Sequence, residues 1–194
     1  MNFSNLSSFT TDDREAARAA AEYLIRSGHR KIGIVCGSAV SEAGLIGSKR
    51  VESAIAVFKE NKIPFNKREQ FVPGKFSLED GYNGTIKLLE SYPEVTAIYA
   101  VSDVVAIGAL RAINDRKLKV PQDISIIGND GIDFARYVTP RLATVEQDTS
   151  QLAKRSVDDL LLRLNYNKPV IHEIIPFHVL AGESVSIKKP VEEK

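Results

Sequence analysis

The chain has 194 residues, 43% hydrophobic and 26% charged, a composition typical of a globular protein that buries a substantial core. Its 26 basic and 25 acidic residues leave a formal net charge of +1, which gives no reason to expect direct binding to nucleic acid or to a membrane surface. The one cysteine, Cys36, excludes an intrachain disulfide, and with neither a signal peptide nor a membrane-spanning stretch we expect a cytoplasmic protein.

Helix and strand patterns alternate along the first half of the chain. Predicted in order are a helix over 13–27, a strand over 31–36, a helix over 47–61, a strand over 69–73 and a helix from 78 to about 91. Asp12 suits the N-cap of the first helix and Gly28 its C-terminal cap, and Ser77 suits the N-cap of the third helix.

The same alternation continues through the second half. The sequence predicts a strand over 95–101, a helix over 104–116, a strand over 124–128, an apolar segment over 142–145, a helix from about 150 to 164 and a strand-like tail over 171–187. Short apolar strands between amphipathic helices favour parallel strands joined by right-handed crossovers. We therefore predict an α/β fold, a doubly wound parallel sheet with helices on both faces.

Ligands of open α/β sheets bind beyond the carboxyl ends of the strands, often at helix N-termini. Four segments occupy such positions here, residues 37–50, 74–76, 102–103 and 129–131. Among the residues in them, those best suited to recognise a polar ligand are Arg50, Phe76, Ser102, Asp103, Asn129 and Asp130. Carboxylates accept hydrogen bonds from hydroxyl groups, arginine donates in a planar fork, and an aromatic face packs against a sugar or base ring. This set predicts a small ligand that is rich in hydroxyl groups.

Four of these residues also have a purely structural interpretation. Asp103 stands where a helix N-cap belongs, and its position alone favours capping over ligand contact. Asp130 lies in a Gly-Asn-Asp-Gly sequence that is typical of a turn. Arg50 is equally consistent with a solvated residue near a helix start, and Phe76 alone is typical of a core residue.

Motifs of catalysis are absent from the sequence. There is no G-x-S-x-G nucleophile elbow, residues 44–49 lack the spacing of a P-loop, and no G-x-G-x-x-G follows a strand. His29, His172 and His178 lack the spacing of metal ligands, and no nucleophile has an adjacent base. We expect a protein that is not an enzyme, with no catalytic residue, metal or cofactor.

Long motifs occur in a fixed order along most of the chain. Residues 12–32 read like "D…A..YLI..GHRKI", and Arg50 stands in an "R..G"-like element. Further motifs are Ser-Asp-x-x-Ala-Ile-Gly-Ala at 102–109, Val-Pro-x-Asp-Ile-Ser-Ile-Ile-Gly-x-Asp at 120–130 and Pro-x-Leu-x-Thr-Val-x-Gln at 140–147. From about Asp12 to Ser184 the sequence thereby resembles the effector-binding region of the LacI/GalR family of bacterial transcription regulators.

The resemblance implies a fold like that of periplasmic sugar-binding proteins, two subdomains with a ligand cleft between them. It implies a repressor that senses a sugar or sugar derivative, with a purine or a phosphorylated sugar as alternatives, and that forms a homodimer through its effector domains. Operator DNA would bind only through a helix-turn-helix headpiece, and no such motif precedes residue 12. By position, the implied pocket residues are Arg50, Phe76, Ser102, Asp103 and Asp130, with Gln147 near the cleft.

The same resemblance implies a division of the chain. Residues 12–147 would form the C-terminal effector-binding subdomain, 148–176 a remnant of the N-terminal subdomain, 177–188 a return strand and 189–194 a frayed tail. The chain is then a piece of a longer protein, and the apolar stripe of residues 152–164 lacks the sheet that it should cover. We expect this stripe to fold back on the chain, to pair with a second copy or to be poorly ordered. The family's "GFD" or "GYD" is Gly128-Asn129-Asp130 here, which leaves the ligand class open.

Three other functions are compatible with these residues. The chain could act as a free-standing solute-binding protein, which a secretion signal would favour. It could be an α/β enzyme that modifies a sugar, which turnover of a candidate sugar would support. A protein-interaction domain with a cleft that no longer binds ligand is the third alternative.

Overall fold

The computed structural model describes residues 6–37, 46–166 and 168–188. Its strands are β1 Ser8–Thr10, β2 Ile32–Val35, β3 Phe71–Val72, β4 Ala97–Ala100, β5 Ser125–Asp130, β6 Ala143–Gln147, β7 His172–Ile174 and β8 Phe177–Leu180. Its helices are α1 Asp13–Arg26, α2 Ile46–Glu60, α3 Lys67–Gln70, α4 Leu78–Ser91, α5 Asp103–Asp115 and α6 Thr149–Tyr166, with a 3-10 turn at Asp133–Arg136.

Six strands form the main sheet in the order β3-β2-β4-β5-β6-β8. The strands from β3 to β6 are parallel to their neighbours, and β8 closes the edge antiparallel to β6. Residues of β2, β4 and β5 are almost all buried, as expected for strands covered on both faces. The predicted doubly wound α/β fold is confirmed.

Helices α1 and α2 pack together on one face of this sheet, and α4 and α5 pack together on the other. Gly33 of β2 faces α4, because a Cβ on this residue would lie 2.5 Å from a methyl group of Leu88. Gly33 pairs with Ile98 of β4, and Ile98 pairs with Ile126 of β5. Gly128 lies two residues beyond Ile126 in the same strand. Since alternate residues of a strand share a face, Gly128 also points toward the α4 and α5 side.

The strand predicted over 69–73 is confirmed only for Phe71 and Val72, because residues 69 and 70 belong to the short helix α3. The side chain of Asn66 accepts a hydrogen bond from the backbone N–H of Arg68 at 3.1 Å. Gln70 returns the contact, since its side-chain oxygen accepts from the N–H of Asn66 at 2.6 Å. This reciprocal cap stabilises one helical turn, and the apolar residues Phe71 and Val72 that follow form β3.

A small parallel sheet of β1 and β7 lies apart from the main sheet, and β1 was not predicted. The helix α6 between β6 and β7 leaves Val157, Leu160, Leu161 and Leu164 at least half exposed. The expectation that the apolar stripe folds back on this chain is therefore wrong for the described residues. The pairing of this stripe with a second copy remains a prediction. The division of the chain into subdomains also remains a prediction, and the tail predicted at 189–194 lies outside the described residues. Within the described ranges, no helix combines the length and the apolar character needed to cross a membrane.

Candidate functional site

Arg50, in the first turns of α2, organises the carboxyl edge of the main sheet. Its side chain is 3% exposed, and its Nη1 donates to the carbonyl of Val101, just beyond β4, at 2.7 Å. Its Nε and Nη2 both donate to Oδ1 of Asp13, at 3.0 and 2.8 Å. Its Nη2 also lies 2.9 Å from Oδ1 of Asp130 at the end of β5. The structure therefore brings Arg50 and Asp130 together at this edge.

Asn129 and Gln147 complete this network. Hydrogen-bonding partners orient the amide of Asn129 with its oxygen toward Arg50, where it accepts from Nη1 and Nη2 at 3.2 Å. Gln147, the last residue of β6, donates from Nε2 to Oδ1 of Asp130 at 2.8 Å. We call Asp13, Arg50, Asn129, Asp130 and Gln147 the edge network.

Asp130 has an uncommon backbone conformation, with a φ of +122°. Side chains other than glycine rarely adopt positive φ, although aspartate and asparagine do so more often than most. Such a conformation persists when its surroundings fix it, and it occurs often at ligand sites. The bonds from Arg50 and Gln147 supply that fixation here.

The charge of Arg50 is held in place by its neighbours. Burial opposes that charge, but the carboxylates of Asp130 and Asp13 outweigh it and raise the pKa of Arg50 above its usual value. Below the network on the same face, the hydroxyl of Tyr99 is buried and has no hydrogen-bond partner among the described residues. Burial raises the pKa of Tyr99, so the phenol stays neutral.

Asp103 lies on the opposite face of the sheet from Arg50, beneath Gly128. A Cβ on Gly128 would lie 2.1 Å from Oδ1 of Asp103, so only glycine leaves room for this carboxyl group. The Thr144 hydroxyl donates to Oδ1 at 2.6 Å, and the N–H of Ile132 donates to Oδ2 at 2.9 Å. Burial raises the pKa of Asp103 to about 6, although these two bonds oppose the rise.

The prediction that Asp103 is an N-cap is wrong by one residue. Ser102 is the N-cap of α5, since its Oγ accepts from the N–H of Val105 at 3.3 Å. Asp103 is instead the first residue of the helix, and its side chain links the sheet to the loop after β5. Both residues are buried. A ligand-binding role for either of them remains a prediction.

Phe76 lies beyond β3 at the sheet edge and is 46% exposed, so its interpretation as a core residue is wrong. In the part of the chain that the structure describes, it makes no ring contact. It is not joined to the edge network, and its stacking role remains a prediction.

Asp13 is the network residue that sequence reasoning missed. Asp12 accepts at Oδ1 from the N–H groups of Arg14 and Glu15, at 2.9 and 3.2 Å, and so fixes the start of α1 as predicted. A helix that precedes a parallel strand begins at the carboxyl edge of the sheet. The first turn of α1 was therefore a fifth segment that this rule could have placed at the site.

Other titratable groups are structural. Burial raises the pKa of the Cys36 thiol to about 12, which makes it a poor nucleophile. Among the described residues, no group of three or more His, Cys, Asp or Glu side chains could hold a metal ion. The edge network can therefore recognise a ligand through hydrogen bonds and charge.

Comparisons with known proteins agree with this fold. The family described as "Periplasmic binding protein-like domain" matches residues 5–185. The ribose operon repressor of Haemophilus influenzae is 37% identical over 174 residues, which cover 87% of this chain and 50% of that repressor. The probable HTH-type transcriptional repressor ExuR of Bacillus subtilis is 35% identical over 156 residues, 80% of this chain and 46% of that protein. The chain spans about half the length of these curated relatives.

Solved structures share the architecture. A LacI family transcriptional regulator from Enterococcus faecium, solved with bound ribose, superposes with a TM-score of 0.82 and 28% sequence identity. The match covers 94% of this chain and 66% of that one.

Proposed function

Since this chain belongs to the periplasmic binding protein-like domain family, as a LacI/GalR-type regulator, we propose that it is the effector-binding region of a transcription repressor that senses a sugar. The observation that carries the proposal is the edge network, in which one buried guanidinium holds two partly exposed carboxylates at the carboxyl edge of the sheet. Carboxylates held in this way are strong acceptors for sugar hydroxyl groups. The ribose in the regulator from Enterococcus faecium supports a sugar as the ligand.

The curated relatives favour a regulator over an enzyme or a free-standing solute-binding protein, because both are described as repressors. We propose that operator DNA is bound through a headpiece outside this region and that the protein acts in the cytoplasm. The near-neutral charge of the chain supports this division, since DNA binding depends on clustered positive charge.

Replacing Asp130 tests the ligand site. We expect Asp130→Asn to weaken sugar binding by about tenfold or more, because a hydrogen bond to a charged group contributes about 1.5–3 kcal/mol. Asparagine keeps an oxygen for Arg50 and Gln147, so the fold should persist. Calorimetric titration of the chain with D-ribose and a panel of other sugars measures the change.

Asp158→Asn, on the exposed side of α6, is the matched control and should leave the affinity unchanged. Equal affinity of Asp130→Asn and wild type for the sugar that binds would remove Asp130 from the ligand site. Binding of no sugar by the wild-type chain would contradict the proposed function itself.

We also propose that the protein forms a homodimer through the 3-10 turn after β5. Phe134 and Tyr137 on this turn are 72% and 83% exposed. Aromatic side chains are enriched at the buried centres of protein interfaces, and neighbouring exposed aromatic groups favour association.

Sedimentation equilibrium tests the dimer. We expect Tyr137→Ser to raise the dimer dissociation constant by at least tenfold, because a large aromatic contact is lost from the centre of the interface. Leu164→Ser, on the exposed apolar face of α6, is the matched control. A monomeric Leu164→Ser beside a dimeric Tyr137→Ser would contradict this interface and would support pairing through α6 instead.

A further inference from the structure

We infer that the edge network selects an uncharged sugar and rejects sugars that carry a phosphate or a carboxylate group. The inference rests on the proposed function and narrows its ligand class. Three observations support it. They are the outward-facing atoms of the network, the net charge at the edge and the groups that line the adjoining hollow.

The outward-facing atoms of the network are acceptors. The side chain of Arg50 is 3% exposed, whereas those of Asp13 and Asp130 are 19% and 28% exposed. The guanidinium donors are already used by Asp13, Asp130, Asn129 and the carbonyl of Val101. Within the described ranges, Oδ2 of Asp13 and Oδ2 of Asp130 accept no hydrogen bond from the protein. Among the described residues, a ligand at this edge therefore meets carboxylate oxygens that accept no protein hydrogen bond, whereas the N–H donors of Arg50 are already used.

The charges of the network do not cancel. Two carboxylates share one guanidinium, so the group as a whole is negative. A hydroxyl group can donate to either Oδ2, but a phosphate or carboxylate oxygen has no proton to give and repels both aspartates.

The hollow that adjoins Gln147 adds acidic groups and no unpaired arginine. Its volume is about 310 Å³, and its lining includes Asp133, Asp148, His178 and the ion pair of Arg136 with Glu146. The N-terminus of α6 opens here, but Asp148 already accepts from the N–H of Gln151 at 2.8 Å. The usual anion site of a helix N-terminus is therefore occupied by a side chain of this chain.

The cations closest along the sequence do not offset these charges. Arg14, which follows Asp13 in α1, pairs with Glu52 at 3.4 Å, so its charge is balanced there. Lys49 precedes Arg50 in α2, and adjacent residues of an α-helix point about 100° apart. Lys75, beyond β3, is exposed. The edge is thus built to accept hydrogen bonds from neutral groups.

Matched pairs of sugars test the inference on the 194-residue chain at low salt. The pairs are D-ribose with ribose 5-phosphate, D-glucose with glucose 6-phosphate and D-galactose with galacturonate, titrated with detection by NMR so that weak binding is measured. We expect the neutral member of any pair that binds to bind at least tenfold more tightly than its anionic partner. We expect Asp13→Asn to reduce this ratio at least threefold, and Glu22→Gln, on the exposed side of the same helix, to leave it unchanged.

The outcomes separate the two proposals. Anionic members that bind as tightly as their neutral partners would overturn the charge selection while leaving a sugar-binding function in place. An unchanged ratio in Asp13→Asn would overturn the role given to the carboxylates. If no member of any pair bound, the proposed function would fail and the charge selection with it.

Discussion

Replacing Arg50 with methionine should lower the free energy of unfolding by about 3 kcal/mol, because removing one partner of a buried ion pair leaves charges without compensation. The loss should sit at the lower end of the usual range, since Asp13 and Asp130 are partly exposed and water can reach them. Buried Asn129 also loses the donors that its side-chain oxygen accepts from. Urea denaturation of the chain measures the change.

Arg111→Met is the matched control, because Arg111 pairs with Asp115 on the surface and is 71% exposed. Exposed pairs of this kind contribute less than about 1 kcal/mol. Combining Arg50→Met with Asp13→Asn should cost less than the sum of the two single changes, since the second removes a charge that the first leaves unpaired. Equal losses in Arg50→Met and Arg111→Met would show that the edge network does not stabilise the fold.

Acidification should destabilise the protein through His29. This side chain is buried, its Nε2 donates to the carbonyl of Ser186 and its Nδ1 accepts from the hydroxyl of Thr96, both at 3.1 Å. A carbonyl only accepts, so the neutral ring carries its proton on Nε2. Burial, against the bond to Ser186 and with smaller contributions from Lys188 and Arg30, lowers the pKa of His29 to about 4.

The sign of the effect follows from where the proton binds. In the unfolded chain His29 takes up a proton below a pKa of about 6.5, whereas in the folded chain it does so only near 4. Its contribution to stability is complete above pH 6.5 and is lost as the pH falls to 4. The expected loss is about 2 kcal/mol between pH 7 and pH 5 and about 3 kcal/mol by pH 4.

The measurement is the stability difference between wild type and His29→Gln as a function of pH. Asp103, whose raised pKa acts in the opposite direction over the same range, is present in both proteins and drops out of this difference. Exposed His178 supplies the control substitution His178→Gln. A stability difference between wild type and His29→Gln that does not change with pH would mean that His29 titrates normally in the folded protein.

Much of the main sheet was predictable because its signals are local. The buried strands are short apolar runs, and the caps at Asp12, Gly28 and Ser77 lie where the sequence places them. The pairing of β1 with β7 was not predictable in this way, since Ser8 meets His172 across most of the chain. The helix α3 depends on a contact between Asn66 and Gln70, which the apolar pattern of the residues after it does not indicate.

The site was partly predictable for a related reason. The rule that parallel strands end at one edge correctly brought Arg50 to Asp130. The same rule does not say which face of the sheet a side chain takes, and Asp103 lies on the face opposite Arg50. Which face it takes depends on the strand order, because the right-handed connections from β2 to β3 and from β4 to β5 run in opposite directions across the sheet, and the sequence alone does not give that order.

The small sheet and α6 are joined to the main sheet by three short connections, at residues 11–12, 148 and 175–176. Asp13 directly follows the first connection and Gln147 directly precedes the second, so two residues of the edge network adjoin the segments that lead to the small sheet and to α6. A ligand that contacts both residues would therefore touch two of the three places where the chain passes between the main sheet and this smaller part.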